Sequence, residues 1–229
     1  MLVEFFGIPG AGKSTVIDYL AHETLSGVKL ISENSQSLQA FKSPLIRRWL
    51  RQHQLSKFEK KHPRFLSLIV RTLGLLPENQ RSKVEQDFHN SVFRYQSFNP
   101  EDKKDVFMAS EGFVQRLLSI SVRLPAEKSR ESFIESYIEL MPQPRLVFLV
   151  TVDSAIAKSR VWRRSQVEKN RSFEFDWPAW ETCVSLATVA LQSRDFSPHE
   201  IDGGAPKREV ADAVRNLIYA EFPIYKQGD

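Results

Sequence analysis

The segment GIPGAGKST at 7–15 constrains the fold of this 229-residue chain more than any other feature. It matches the pattern G-x-x-x-x-G-K-[ST] and lies between a short apolar run, Leu2–Phe6, and a stretch of helical periodicity that starts near Ser14. Glycines allow the backbone to curve round an anion with its N–H groups pointing inward, and the N-terminus of the next helix adds a favourable dipole. The segment therefore predicts a phosphate-binding loop rather than a glycine turn that only caps a helix.

Two side chains of this loop are suited to binding phosphate and metal. Lys13 brings a positive charge to the β- and γ-phosphates of a nucleotide, and the Ser14 hydroxyl can ligate Mg²⁺. We predict that a nucleotide contacts the whole loop, namely Gly7, Pro9, Gly10, Ala11, Gly12, Lys13, Ser14 and Thr15.

The rest of the chain alternates between strand-like and helical patterns. Strands are predicted at 2–6, 28–32, 106–110, 146–152 and 200–202. The run 146–152 is almost continuously apolar, which indicates burial on both faces, as in a parallel sheet covered by helices. From 35 to 99 the pattern is helical, with breaks near Pro44, Pro63 and Pro77. We expect one doubly wound α/β domain over 1–229, with a helical insertion at about 35–99 after the second strand.

Composition excludes several classes of protein. Apolar residues make up 41% of the chain and include 16 Phe and 4 Trp, which is enough for a core and argues against disorder. The longest apolar run has strand length, so we expect no membrane span, and the first apolar segment is too short for an export signal. The single cysteine, Cys183, excludes an internal disulfide and a cysteine-based zinc site, and it favours the reducing cytoplasm.

The net charge of +4 is unevenly distributed. Residues 42–71 include nine basic residues and one acid, so the remainder of the chain is net negative. A basic segment can attract phosphates, nucleic acid or an acidic partner, and it can equally be a solvated helical face. The helices of 35–99 could also pair subunits in a homodimer.

Three residues near predicted strand ends are candidate ligands. Glu111 follows the third strand, where open α/β sheets bind ligands, and it could hold a metal-bound water or accept a hydroxyl proton. The alternative is an acid that only stabilises a helix N-terminus. Glu33 follows the second strand and is a candidate base or substrate ligand, or an exposed loop acid. Arg116 lies one helical turn beyond Gly112, pointing either at the same pocket or at solvent.

Arginines cluster after the fourth strand. Arg160, Arg163 and Arg164 share one helix face, and Arg171 follows in a polar stretch. Guanidinium groups suit the negative charge that develops on a transferring phosphoryl group, although a basic surface helix has the same pattern. The turn DGGAP at 202–206 could pass close to a flat ligand.

Together, these segments resemble the P-loop small-molecule kinases, thymidylate kinase-like members above all. The resemblance rests on the loop 7–15, the sequence SEG at 110–112, the block VDSAIAKSR at 152–160 with its trailing arginines, and the turn IDGGAP at 201–206. It implies a five-stranded parallel sheet of order 2-3-1-4-5, a mobile lid at about 160–176, and ATP with Mg²⁺ as the donor pair.

The resemblance also implies individual roles. Glu111 would take the place of the family's acid at the end of the third strand and, with Ser14, would serve the metal. Arg160 would lie near adenine, and Arg163, Arg164 and Arg171 would be lid charges. Gly204 and Ala205 would line the adenine pocket through their backbone.

One departure from the family concerns the acceptor. Thymidylate kinases usually have an Asp-Arg pair after the third strand, and deoxynucleoside kinases a Glu-Arg pair, but here Glu111 is followed by Gly112. Arg116 could substitute for the missing arginine and, with Glu33, bind the acceptor. The chain is therefore predicted to transfer the γ-phosphoryl group of ATP to a hydroxyl or phosphate of a nucleotide, sugar, antibiotic or lipid-linked precursor.

Two other functions fit the same sequence. One is a nucleotide-binding regulatory P-loop ATPase that signals through its helical insertion. The other is a 5′-kinase or binder of nucleic acid that uses the basic segment 42–71.

Overall fold

A computed structural model describes residues 1–21, 29–32, 44–97, 105–125, 127–167 and 175–221. The strands are β1 (Leu2–Phe6), β2 (Lys29–Ser32), β3 (Asp105–Ala109), β4 (Leu146–Thr151) and β5 (His199–Asp202). The helices are α1 (Lys13–Ala21), α2 (Pro44–Lys61), α3 (Pro63–Leu73), α4 (Glu78–Ser97), α5 (Phe113–Ser121), α6 (Glu127–Leu140), α7 (Ser154–Val167), α8 (Trp177–Gln192) and α9 (Lys207–Ala220).

The five strands form one parallel sheet in the order β2-β3-β1-β4-β5, as predicted. β1 lies at the centre, where every residue of the strand is buried, and pairs with β3 on one side and β4 on the other. Because all five strands run in the same direction, their carboxyl ends share one edge of the sheet. The phosphate-binding loop, Glu111 and the turn after β5 all follow these ends.

Helices cover both faces of the sheet. α1 and α9 pack together, whereas α5 packs with both α6 and α8. Their apolar residues join the buried faces of the strands in one continuous core, which confirms the prediction of a doubly wound α/β fold.

The described part of the insertion consists of three helices whose beginnings coincide with the three prolines. Pro44 begins α2, Pro63 begins α3, and Pro77 directly precedes α4. Proline is favourable in the first helical turn because the missing N–H has no intrahelical acceptor there. The breaks in the helical pattern are therefore helix starts.

An aromatic cluster attaches the insertion to the parallel sheet domain. Phe58 of α2 is fully buried, and its ring centroid lies 5.6 Å from that of Phe113, the first residue of α5. Phe65 of α3 lies 5.7 Å from the same ring, and Phe88 of α4 lies 6.2 Å from it. The N-terminus of α5 is thus fixed by all three inserted helices.

The described helices are each either too short or too polar to cross a membrane.

Candidate active site

The glycines of the phosphate-binding loop are required by both backbone angle and space. Gly7, Gly10 and Gly12 have φ values of 147°, 82° and 107°, which other residues rarely adopt. A Cβ at Gly7 would lie 2.4 Å from the carbonyl oxygen of Val150, and one at Gly10 would lie 2.5 Å from that of Ala157. The loop therefore packs directly on β4 and α7, which holds its curvature in place.

Lys13 is held inside this loop. Its side chain is only 8% exposed, and Nζ donates hydrogen bonds to the carbonyl oxygens of Gly7, at 3.0 Å, and Ile8, at 3.1 Å. The ammonium group is therefore pre-positioned over the loop, where a charge acts on a phosphate with little reorganisation.

The loop is also tied to the end of β3 and to α5. The Ser14 and Ser110 hydroxyl oxygens lie 3.2 Å apart, and the Gly7 N–H donates to Oε1 of Gln115 at 3.1 Å. Sequence reasoning did not select Ser110 or Gln115. The position of Ser110 at a strand end, one residue before Glu111, is a signal that could have found it.

Arg116 is buried, so the alternative of a solvent-facing arginine is wrong. Its guanidinium contacts Oε2 of Glu111 at 2.5 Å and Oδ2 of Asp87 at 3.6 Å, and its Nε donates to the Ser91 hydroxyl at 3.1 Å. Ser91 in turn donates to the backbone oxygen of Glu111 at 2.8 Å. A network across α4 and α5 thus orients Glu111 at the end of β3.

The carboxylate of Glu4 explains why a glycine, Gly112, follows Glu111 where thymidylate and deoxynucleoside kinases usually have an arginine. Glu4 is 1% exposed, and its Oε2 accepts a hydrogen bond from the Val114 N–H at 2.7 Å, at the N-terminus of α5. A Cβ on Gly112 would lie 2.4 Å from the Glu4 carboxyl carbon. Because the φ of Gly112 is −73°, the reason for glycine here is space and not backbone angle. An arginine at this position has no room beside Glu4.

Glu4 also influences the buried tyrosines. Burial raises the pKa of Tyr137 well above its ordinary value, and the nearby charge of Glu4 raises it further. The same two causes, in the same order, raise the pKa of Tyr95. Both phenols therefore stay protonated at neutral pH, and the Tyr137 hydroxyl donates to the backbone oxygen of Phe113 at 2.9 Å.

The arginines of α7 occupy different environments. Arg160 is half-buried, and its Nη1 donates to the carbonyl oxygens of Gly10, at 3.2 Å, and Gly203, at 3.1 Å. It therefore braces the phosphate-binding loop against the turn after β5. Arg163 and Arg164 are exposed, and of these two only Arg164 lines the cleft described below.

The turn after β5 approaches the loop closely. A Cβ on Gly203 would lie 2.0 Å from the Ala11 carbonyl oxygen, and the Gly203 N–H donates to Thr151 at 2.7 Å. Gly204 donates to Oδ1 of Asp202, and Ala205 follows. The adenine contacts of Gly204 and Ala205 stay a prediction.

Two of the candidate residues, Glu33 and Arg171, lie outside the described residues, and so do residues 168–174 of the predicted lid. Residues 160–167 of the lid belong to α7.

A cleft of about 230 Å³ opens beside the phosphate-binding loop. Its walls come from the loop, from α4, from α5 and the residues after it, and from α7 and α8. Five cationic side chains line it against two carboxylates. The cations are Lys13, Lys83, Arg116, Arg123 and Arg164, and the acids are Asp87 and Glu111. Phe175 and Trp180 add aromatic surface.

Sequence reasoning missed Lys83, Asp87 and Arg123. Lys83 and Asp87 stand four residues apart on α4, next to the buried Val84. That polar stripe beside an apolar face is a weak signal, since most solvated helices have one. Arg123 has no local signal, because it reaches the cleft only through the packing of α5 in the structure.

Comparison with known proteins gives a result in structure but not in sequence. No family model matches the chain, and no curated protein matches it. Among solved structures, the chain is similar to deoxyadenosine kinase from M. mycoides with the products dCMP and dCDP bound, at 14% identity and a TM-score of 0.51. This match covers 96% of this chain and 100% of the kinase.

Thymidylate kinase from Candida albicans is similar at 12% identity and a TM-score of 0.50, with 96% of this chain and 91% of that enzyme covered. Both matches span nearly the whole of each chain, and the sheet order predicted from the sequence is the observed one. The chain therefore has the fold of the nucleoside monophosphate kinase-like P-loop proteins.

Proposed function

We propose that the protein is an ATP-dependent phosphotransferase that moves the γ-phosphoryl group of ATP to a small-molecule acceptor. The observation that carries this proposal is the position of Lys13, held over a glycine loop that opens directly into a cationic cleft. The kinases with the same fold support it. We place the activity in the cytoplasm, in keeping with the single buried thiol of Cys183.

The loop fits the triphosphate of a nucleotide with its Mg²⁺. Gly7, Gly10 and Gly12 give the loop its positive φ values, and Lys13 begins α1, so that backbone N–H groups at this helix N-terminus would donate to the phosphates. Ser14 and Glu111 would hold Mg²⁺, which when bound neutralises charge on the β- and γ-phosphates. Lys13 would bind the same phosphates, and Pro9, Ala11, Gly12 and Thr15 would complete the loop contacts.

The protein's contribution to the rate is positioning and charge stabilisation. Arg164 faces the cleft and would neutralise charge on the transferring group, with Arg163 and Arg171 acting as further charges of a lid at about 160–176. Closure of that lid would exclude water and limit hydrolysis of ATP. Arg160 would keep the loop and the turn after β5 together, with adenine near Gly204 and Ala205. Glu33 would contact the acceptor.

The test of this proposal is the variant Lys13→Ala. We expect the rate of phosphoryl transfer to fall about a hundredfold or more, because one preorganised charge at the transferring group is removed. Far-UV circular dichroism should show an intact fold, and calorimetry should show weaker ATP binding. Lys60→Ala removes an exposed lysine of α2 and serves as the matched control. Unchanged turnover in Lys13→Ala would refute the kinase proposal.

The basic segment supports a second candidate, a 5′-kinase or binder of nucleic acid. In its described part, Lys57, Lys60, Lys61, Arg64 and Arg71 are all exposed, as such a surface requires. A helical face that is only solvated would expose the same basic side chains, so binding experiments have to distinguish the two. Binding of oligonucleotides that weakens steeply with salt would favour nucleic acid. The homodimer and the regulatory ATPase stay alternatives, to be tested by sedimentation and by acceptor-independent ATP turnover.

A further inference from the structure

We propose that the side-chain amide of Gln115 has two roles in the donor site. Its Oε1 holds Gly7, the first residue of the phosphate-binding loop, and its Nε2 donates a hydrogen bond to the γ-phosphoryl group of bound ATP. This inference rests on the proposed function and adds to it a ligand from α5, outside the loop pattern.

The orientation of the Gln115 amide follows from its partner. A backbone N–H can only donate, so the atom that lies 3.1 Å from the Gly7 nitrogen has to be the amide oxygen, Oε1. Nε2, which carries two N–H donors, therefore points away from Gly7. Within the described part of the chain no hydrogen bond from Nε2 is found, although the side chain is only 5% exposed. A buried amide gains most from a ligand that accepts from such donors.

The cleft beside the phosphate-binding loop is the space in which a ligand reaches this amide. Gln115 lines the cleft together with Lys13 and Ser14. Its neighbours on α5, Val114 and Arg116, are buried as well. The two donors of Nε2 are therefore available to a group bound at the loop.

Lys13 and Gln115 converge on one residue of the loop. Nζ of Lys13 donates to the Gly7 carbonyl oxygen at 3.0 Å, and Oε1 of Gln115 accepts from the Gly7 N–H. Standard bond lengths within one residue then keep Nζ and the Gln115 amide at most about 10 Å apart. A phosphoryl group that accepts a hydrogen bond of about 2.9 Å on each side fits such a gap. The phosphoryl group bound by Lys13 is therefore the expected acceptor for Nε2.

The amide is fixed before any ligand binds, because the first turn of α5 is held from two sides. Oε2 of Glu4 accepts from the Val114 N–H at 2.7 Å, and the aromatic rings of the insertion pack on Phe113. A donor that is held in this way stabilises charge on a transferring group with little reorganisation.

Two substitutions test the role of Oε1. Gln115→Glu keeps an acceptor oxygen for Gly7 but has no N–H donor at neutral pH, whereas Gln115→Met has a similar length and neither group. We expect the melting temperature of Gln115→Met to fall by about 3 °C or more, since a buried N–H loses its acceptor, and that of Gln115→Glu to fall by less than half as much. Equal melting temperatures for Gln115→Met and the unaltered protein would overturn the role of Oε1.

The role of Nε2 is tested by calorimetry with two ligands, ADP and the β,γ-imido analogue of ATP, each with Mg²⁺. A looser loop weakens both ligands and cancels in the ratio of their Kd values, whereas loss of Nε2 affects only the ligand that has a γ-phosphoryl group. We expect the preference for the ATP analogue over ADP to fall about fivefold or more in both variants. Gln192→Met changes an exposed glutamine at the end of α8 and should leave the preference unaltered.

The outcomes distinguish this inference from the proposed function. An unchanged preference in Gln115→Met overturns the contact between Nε2 and the γ-phosphoryl group. Where far-UV circular dichroism shows that Gln115→Met does not fold, an unchanged preference in Gln115→Glu has the same force, because a carboxylate beside that group would repel it. Failure of the unaltered protein to bind either nucleotide overturns the proposed function instead.

Discussion

Arg163 and Arg164 are neighbours in sequence with different surroundings, which makes them a sensitive test at the scale of single residues. Arg164 lines the cleft and Arg163 does not. We expect Arg164→Ala to lower kcat by about tenfold to a hundredfold, more than it raises KM, because a charge on the transferring group acts mainly in the transition state. The measurement is steady-state kinetics with ATP and the acceptor varied in turn.

Arg163→Ala is the comparison for this prediction, and because Arg163 does not line the cleft we expect it to lower kcat several-fold less than Arg164→Ala does. An effect of Arg164→Ala on KM alone would contradict a transition-state role. Equal effects of the two substitutions would show that the general positive charge of this helix matters, and not the position of Arg164 in the cleft.

Single residues also show the limit of sequence reasoning. Lys13 and Ser14 were predictable because the loop pattern is local and its geometry follows from glycine positions. The partners of Arg116 were not, since Asp87 and Ser91 belong to α4 and meet it only when the insertion packs on α5. Glu4 looked like one more strand residue, and its burial against Gly112 has no sequence signal.

At the scale of elements, α8 has one identifiable capping residue. Asp176 precedes this helix, and its Oδ1 accepts a hydrogen bond from the Ala179 N–H at 3.0 Å. We expect Asp176→Ala to reduce the free energy of unfolding by about 1 kcal/mol, because an N–H of the first turn loses its acceptor. Urea denaturation measures this change.

Asp176→Asn retains an acceptor at the same position and should restore stability to within a few tenths of a kcal/mol. Equal losses in both variants would show that the charge at the helix N-terminus, and not the hydrogen bond, stabilises α8.

Elements were predicted better than their contacts. Strand β1 was predicted with its observed bounds, and β3, β4 and β5 with ends within one residue, because apolar runs and glycines mark them clearly. The prolines located the inserted helices. The cluster of Phe58, Phe65 and Phe88 on Phe113 was not predicted, since helical periodicity identifies a buried face without naming what covers it.

At the scale of the whole molecule, buried acids determine the response to alkaline pH. Burial raises the pKa of the Cys183 thiol to about 11, and that of Tyr137 well above its ordinary value. Above about pH 9 the unfolded chain therefore holds fewer protons than the folded one, and the free energy of unfolding falls as pH rises. Urea denaturation from about pH 8 to about pH 11 measures the fall.

Cys183→Ala is the informative variant, because it removes one of these groups. The alkaline loss of stability should be shallower in this variant by about 2 kcal/mol, whatever its stability at neutral pH. Parallel curves for the two proteins would show that the thiol contributes nothing to the pH dependence.

The doubly wound α/β class followed from the alternation of strand and helix patterns, and the order of the strands in the sheet followed from the resemblance to the P-loop small-molecule kinases. The cationic lining of the cleft was not predicted in full, because Lys83 lies on α4 and Arg123 follows α5, with the third strand between them in the chain.

The contact between Glu4 and Gly112 has a consequence for protein engineering. A saturation library at position 112 that seeks the arginine usual in thymidylate and deoxynucleoside kinases should yield no stable Gly112→Arg clone while Glu4 is present, since the carboxylate fills the volume of the incoming side chain. Positions 4 and 112, more than a hundred residues apart, therefore have to be randomised together. The residues recovered at position 112 in stable clones then show which side chains at position 4 leave room for them.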